Sequence, residues 1–260
     1  MRALVTFAMN AEFSQWKSRH SFVPYEFDFA GGRRDFDLFR ANLGVHEVTV
    51  LLTARGRENA GNAMRTVNLE LYDLCISTGL AGALDPNLKP GAIVVARTAE
   101  TLDQACKCES DAHLLALAAA SGARAVDVFL TSETIVATAA EKETLRVSGS
   151  VVEMESSYIL SVARRAQLPV VAIRAISDAA DEDLPVDFQR IADSRGHLKV
   201  GELLKELALH PHRLPLLLQF GRQSRSATFA LADFLDRYIP AIAGQRHFLR
   251  TIPTEEISAI

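Results

Sequence analysis

Two hundred and sixty residues, 48% of them hydrophobic and 23% charged, suit one large globular domain with a sizeable core and exclude collagen-like and disordered classes. The 28 Lys and Arg residues against 32 Asp and Glu leave a formal net charge of −4, which offers no basic surface to a nucleic-acid partner. In chain order, Arg2 to Phe7 reads as a first strand and His46 to Thr53 as a second, rich in Val and Leu. The helical spacing of Ala60, Ala63, Val67 and Leu71 predicts a helix over Asn59 to Leu71. A short strand, Leu74 to Thr78, runs into Gly79-Leu80-Ala81-Gly82, which reads as a tight turn. A strand over Gly91 to Ala96 and an Ala/Leu-rich helix over Asp111 to Ala120 follow, the helix closed by Gly122. Ala125 to Leu130, Ser150 to Glu153 and Leu168 to Ile173 read as further strands, with a helix over Ser156 to Ala166 that stops before Pro169.

Strands alternating with helices imply an α/β fold around one central sheet, with no linker dividing it through about residue 209. His210-Pro211-His212 breaks that pattern, so residues 210–260 are read as a C-terminal helical extension packed on the domain, with a long apolar, Arg-bearing helix over Leu214 to Ile239. Half of the 18 aromatic residues fall before residue 40. They suit either ordinary core plus an amphipathic hairpin, in which Tyr25, Phe27 and Phe29 alternate with Glu26 and Asp28, or an apolar substrate or partner surface. Three cysteines cannot build a disulfide framework, and Cys106-Lys107-Cys108 lacks a second ligand pair, so no metal site is expected. The first apolar run is short for a signal peptide and no run of 18 apolar residues occurs, which makes a reduced cytoplasm the expected compartment.

Three stretches carry chemistry. Glu153-Met154-Glu155 ends a predicted strand just before a helix, where paired carboxylates can accept from two adjacent hydroxyls such as a ribose diol, or simply favour the helix N-terminus. Arg174-Ala175-Ile176-Ser177-Asp178 follows an apolar strand, at the end where open α/β sheets place ligands; Asp178 there is either a general acid or, like Ser177, a helix cap. In Thr78-Gly79-Leu80-Ala81-Gly82 the glycines permit close approach of backbone N–H groups to an oxyanion or a sugar.

Together, in this order and spacing, these motifs resemble the purine and uridine phosphorylase superfamily, and within it the methylthioadenosine/S-adenosylhomocysteine nucleosidases. Ala8-Met9-Asn10-Ala11-Glu12 after the first strand adds to the likeness, which spans residues 1–190 or so. Leu84 to Gly91 and His210 to Leu217 resemble the hopanoid-associated branch, whose members are thought to remove adenine from adenosylhopane. The resemblance implies a three-layer α/β/α fold around a mixed, partly barrel-like sheet, a homo-oligomer, and cleavage of the N-glycosidic bond of a small-molecule purine nucleoside, adenine being the expected base. It implies no cofactor. By motif, Asp178 would protonate N7 of the base with Ser177 orienting it, and Glu155 would grip the ribose hydroxyls with Met154 and Glu153 beside it. Ile135 and Val136 would line the base pocket, and Glu12 and Arg174 would hold or activate water. Thr78, Gly79 and Leu80 would border the sugar, with Leu80 standing where these nucleosidases carry a Ser that helps hold the water. That departure leaves hydrolysis and phosphorolysis both open, with Arg55 and Arg57 as the candidate anion pocket for inorganic phosphate. A non-catalytic nucleoside-binding protein is the alternative reading, and weak association with a membrane surface is left open.

Overall fold

The computed structural model describes residues 1–25, 36–193, 195, 197 and 199–244. Glu26, Phe27, Asp28 and Phe29, four of the five residues of the expected amphipathic alternation, lie outside the described residues, as do 245–260 of the C-terminal extension.

Eleven strands form one continuous sheet among the described residues. They are β1 (Arg2–Phe7), β2 (Val23–Pro24), β3 (Asp37–Leu43), β4 (His46–Leu52), β5 (Leu74–Ser77), β6 (Leu80–Ala83), β7 (Ile93–Thr101), β8 (Lys107–Glu109), β9 (Arg124–Thr131), β10 (Val151–Glu153) and β11 (Val170–Asp178). The helices are α1 (Asn10–Lys17), α2 (Arg57–Thr66), α3 (Ala112–Ala120), α4 (Ala139–Leu145), α5 (Ser156–Arg165), α6 (Phe188–Ile191), α7 (Val200–Leu209) and α8 (Leu214–Gly244). The strand order is β2-β3-β4-β1-β5-β11-β6-β10-β9-β7-β8, and β7 also pairs with β11. That last pairing closes β11, β6, β10, β9 and β7 into a five-stranded mixed barrel, while β1, β4 and β5 run parallel in the open half.

β11 belongs to both halves. Val170 to Ala172 pair with β5, and Ala175 to Asp178 pair with β6. All nine residues are buried, and their side chains alternate between the two cores as a strand requires. Val171, Ile173 and Ala175 join Phe13, Trp16, Leu114 and the far end of α8 on one face. Val170, Ala172 and Ile176 join Ala60, Met64, Ile159 and Leu160 of α2 and α5 on the other. The result is the expected three-layer α/β/α arrangement.

Several elements differ from the sequence reading. The expected helix over 59–71 ends at Thr66, and Val67 is already extended. Two β-branched residues are followed there by Asn68, whose side chain accepts the Glu70 N–H at 3.1 Å and opens a separate short turn. The Gly79–Gly82 segment is not a tight turn, because Leu80–Ala83 is a barrel strand. The last strand continues through Ser177 and Asp178, so neither residue caps a helix. Phe7, Phe13, Trp16 and Phe22 pack on one another with centroids 5.0–6.4 Å apart, and all are buried. This part of the N-terminal aromatic cluster is core and not a binding surface.

The two halves of α8 behave differently. From Ala227 onward, Leu231, Phe234, Leu235, Tyr238 and Ile242 fall at helical spacing on one buried face, and Tyr238 donates to the Leu114 carbonyl at 2.8 Å. Before it, Leu214, Leu216 and Leu218 are exposed. No described helix is long and apolar enough to cross a membrane.

Candidate active site

Glu12 sits in the first turn of α1, where three backbone amides converge on its carboxylate. Ala8 and Met9 donate to Oε2, both at 3.0 Å, and Leu80 donates to Oε1 at 2.9 Å. The first two bonds anchor the helix start; the third ties α1 to β6. Gly79 makes the arrangement possible. Its φ of +151° suits glycine, and a β-carbon there would lie 2.9 Å from Glu12 Oε1. Burial raises the Glu12 pKa above its ordinary value, against the opposing pull of Leu80 N–H and of Arg174.

The Glu-Met-Glu motif divides its labour. Glu153 turns inward from the end of β10: Oε1 accepts from Thr131 Oγ1 at 2.6 Å, and Oε2 accepts from the Glu155 and Ser156 amides at 3.0 and 2.8 Å. It therefore caps α5 in the way the N-terminus reading anticipated. Arg174 closes the network, donating to Glu153 Oε2 at 2.6 Å and to the Ile173 carbonyl at 3.0 Å, with Ser77 Oγ at 3.4 Å. Its Nε is buried with no acceptor. Glu155 faces the cavity, with Oε1 accepting from the Gly56 amide at 2.9 Å. Burial first, and then the charge of Glu153, push the Glu155 carboxyl up to about 8, against the attraction of Arg174.

Asp178 ends β11 beyond a register shift opposite Gly82. Such an irregularity re-aims a side chain. Oδ1 accepts from Ser177 Oγ at 2.6 Å, and Oδ2 lies 2.6 Å from Lys142 Nζ. A β-carbon on Gly82 would come within 2.9 Å of Oδ2. Gly79, just before β6, and Gly82 within it thus make room for two carboxylates, a role different from presenting amides to a ligand.

These carboxyls share one cavity of about 520 Å³, a size typical of small-molecule sites. Glu12, Leu80, Gly82, Met154, Glu155 and Asp178 lie on its wall, as do Ile135, Val136, Glu153 and Ser177. Thr78, Gly79 and Arg174 are not on that wall. Toward α6 and α8 the lining turns apolar. Leu184, Phe188 and Phe220 line it there, the Phe188 and Phe220 rings standing 5.0 Å apart, with Ser224, Arg225 and Thr228 of α8 beside them. Arg55 reaches the cavity, but its Nη2 donates to the Ala192 and Asp193 carbonyls at 3.3 and 2.6 Å. Arg57 pairs with Glu133 at 2.8 Å and with Tyr158 Oη at 2.9 Å, off the cavity wall. Among the described residues no cluster of three or more His, Cys, Asp or Glu could hold a metal ion.

Sequence reasoning missed Thr131, Lys142, Phe188 and Phe220. Only Phe220 had a local signal, its place in the long apolar helix.

Fold and site together are those of an enzyme of the nucleosidase and nucleoside phosphorylase kind. A sequence model of the phosphorylase superfamily matches residues 3–208, and the chain belongs to that superfamily. It is 28% identical over 176 residues to the 5′-methylthioadenosine/S-adenosylhomocysteine nucleosidase of Staphylococcus saprophyticus, covering 56% of this chain and 75% of that one. Among solved structures, the Campylobacter jejuni 5′-methylthioadenosine/S-adenosylhomocysteine nucleosidase aligns with a TM-score of 0.69 at 17% identity, over 92% of this chain and 98% of that one. A futalosine hydrolase mutant from Helicobacter pylori aligns with a TM-score of 0.68 at 17% identity, over 92% and 99%. At these identities the structural likeness is one of fold.

Proposed function

We propose that this chain hydrolyses the N-glycosidic bond of a purine nucleoside, with adenine as the base, using Asp178 as general acid toward N7. The observation that carries the reading is the convergence of Asp178, Glu155 and Glu12 on one cavity, each held by named hydrogen-bond donors. Purine anions leave poorly, so a proton placed on the base lowers the barrier, typically by a factor of about 10²–10⁴. Glu155 faces the ribose hydroxyls, and its carboxyl, once ionised, places negative charge where it favours a sugar becoming cationic. Glu12 orients the attacking water, with Arg174 behind it.

Water is preferred over phosphate because both arginines expected to form an anion pocket, Arg55 and Arg57, are already engaged, as is Arg174. Arg55 is tied to two carbonyls, Arg57 to Glu133, and Arg174 to Glu153. The apolar wall of Leu184, Phe188 and Phe220 supports a hydrophobic 5′ substituent, the class to which a hopanoid would belong.

Incubation with adenosine, 5′-methylthioadenosine and a long-chain 5′-alkyl adenosine, with and without inorganic phosphate, tests the proposal. Free adenine and free sugar in equal amounts are expected, independent of phosphate. A sugar 1-phosphate product would replace hydrolysis by phosphorolysis, and tight binding without any base release would establish the non-catalytic alternative.

A further inference from the structure

Lys142 has no part in the mechanism above, yet it is wholly buried on α4 against the candidate acid. Its ammonium lies 2.6 Å from Asp178 Oδ2 and donates to the Ala179 and Glu182 carbonyls at 2.8 and 2.7 Å. An ammonium has three donors, and each has an acceptor here. Burying such a group is costly unless it is paired, so packing alone does not account for a lysine at this position.

α4 does not depend on Lys142 for its anchorage. Thr138 and Glu141 form a capping box at its start. The segment after β11 is also joined to the α4 side without Lys142: Leu184 N–H donates to the Ala137 carbonyl, and Ala139 N–H to Asp183 Oδ1, both at 2.7 Å. What Lys142 alone adds is a positive charge touching Asp178, on a helix that follows the Ile135–Val136 wall of the cavity.

We infer that Lys142 is a positioning residue that acts on the reaction through Asp178. It fixes one carboxyl oxygen and stabilises the carboxylate that forms when the acid gives up its proton. Asp178 first takes up a proton from solvent in the substrate complex; as the bond between the sugar and the base breaks, the bond's electron pair goes to the purine and that proton goes to N7. The carboxylate left behind remains paired with Lys142, which keeps its own protons throughout. Measured from that protonated complex, the charge contact strengthens as the bond breaks, so it lowers the barrier of the chemical step. The inference rests on the assignment of Asp178 as the acid.

The test compares Lys142→Met and Lys142→Gln with Asp178→Asn on two substrates, 5′-methylthioadenosine and p-nitrophenyl riboside. The nitrophenolate leaves without needing a proton. In both Lys142 variants kcat on the purine nucleoside should fall by about 10–10²-fold with KM changed less than about 3-fold, while turnover of the aryl riboside stays within about 3-fold. Asp178→Asn should show the same one-sided loss. Equal falls on both substrates, unchanged purine turnover, or failure of both Lys142 variants to fold would overturn the inference and leave Lys142 a structural residue. A loss in Asp178→Asn that is equal on both substrates would instead overturn the assignment of Asp178, and the inference with it.

Discussion

The two ends of the cavity are built on opposite principles. At the inner end every functional carboxyl is fixed by a hydrogen bond or an ion pair. Glu12 takes three amides, Glu155 the Gly56 amide, and Asp178 both Ser177 and Lys142. At the outer end Leu184, Phe188 and Phe220 give an apolar wall beside Ser224, Arg225 and Thr228, and the helices around it share little with the core. No residue of α7 is buried, and the first half of α8 exposes Leu214, Leu216 and Leu218. Rigid polar placement suits bond breaking, where small misplacements are costly. Loose apolar walls suit a substituent that takes no part in the chemistry. The contrast predicts that inner substitutions act on kcat and outer ones on KM.

The largest effect is expected from Asp178→Asn. The amide keeps the shape and can still hydrogen-bond, but it cannot give up a proton to become a stabilised anion. Steady-state kinetics should show kcat reduced at least about 10²-fold with the fold intact by circular dichroism. Near-normal turnover would remove Asp178 from the mechanism.

Gly79→Ala comes next. The added methyl meets Glu12 Oε1 at 2.9 Å, and the backbone there has a φ of +151°. A cost of about 1–3 kcal/mol in folding stability is expected, together with a loss of kcat on the order of 10-fold as the Glu12 cradle opens. A variant with unchanged activity and melting temperature would show that the cradle is not required.

Glu155 gives a smaller effect, with a definite sign. Its carboxyl is pushed up to about 8, from an ordinary value of 4.5. Between those values the folded chain keeps a proton that the unfolded chain has released, so this group's contribution makes folding stability fall as pH rises from about 4.5 to about 8. Glu12, also raised, acts in the same direction. Glu155→Gln removes one of the two contributions, so its Tm should drop less than that of the parent chain between about pH 5 and pH 8. Parallel Tm–pH curves for the two proteins would contradict this.

The smallest effect belongs to the outer wall. Phe220→Ala should leave adenosine turnover unchanged and weaken only substrates with a long 5′ chain. Each buried CH₂ contributes roughly 0.8 kcal/mol, so the defect should grow with chain length. A uniform rise in KM across the series would place Phe220 elsewhere in recognition.

The regular elements were legible where local pattern and tertiary role agree. Asp111 caps α3 with two amides, as its place before an Ala/Leu run suggests, and α8 follows its long apolar pattern. The reading fails where distant residues decide. Arg174, Ser177 and Asp178 look unlike strand interior, and they extend β11 only because the barrel pairs and buries them. Gly79 and Gly82 look like turn residues, whereas two carboxylates from elsewhere in the chain require them. Lys142, within Ala-Ala-Glu-Lys-Glu-Thr-Leu, has the appearance of any solvent-facing lysine; two of its acceptors lie 37 and 40 residues downstream. The motifs of Glu12, Glu155 and Asp178 were visible because their spacing matches a known family, but the ion pair that occupies Arg174 was not.

The paired glycines of the Gly79–Gly82 segment also set a distance. Gly79 makes room for Glu12 and Gly82 for Asp178, so both carboxyls are indexed to one short run of extended backbone. Three residues of strand span roughly 10 Å. Segment length thus works as a ruler between the Glu12 end and the Asp178 end of the cavity. Adding or deleting one residue between the glycines would lengthen or shorten the ruler by about 3 Å and turn the following side chains to the opposite face. The length of this run ties the positions of both carboxyls to one short stretch of backbone leading into β6.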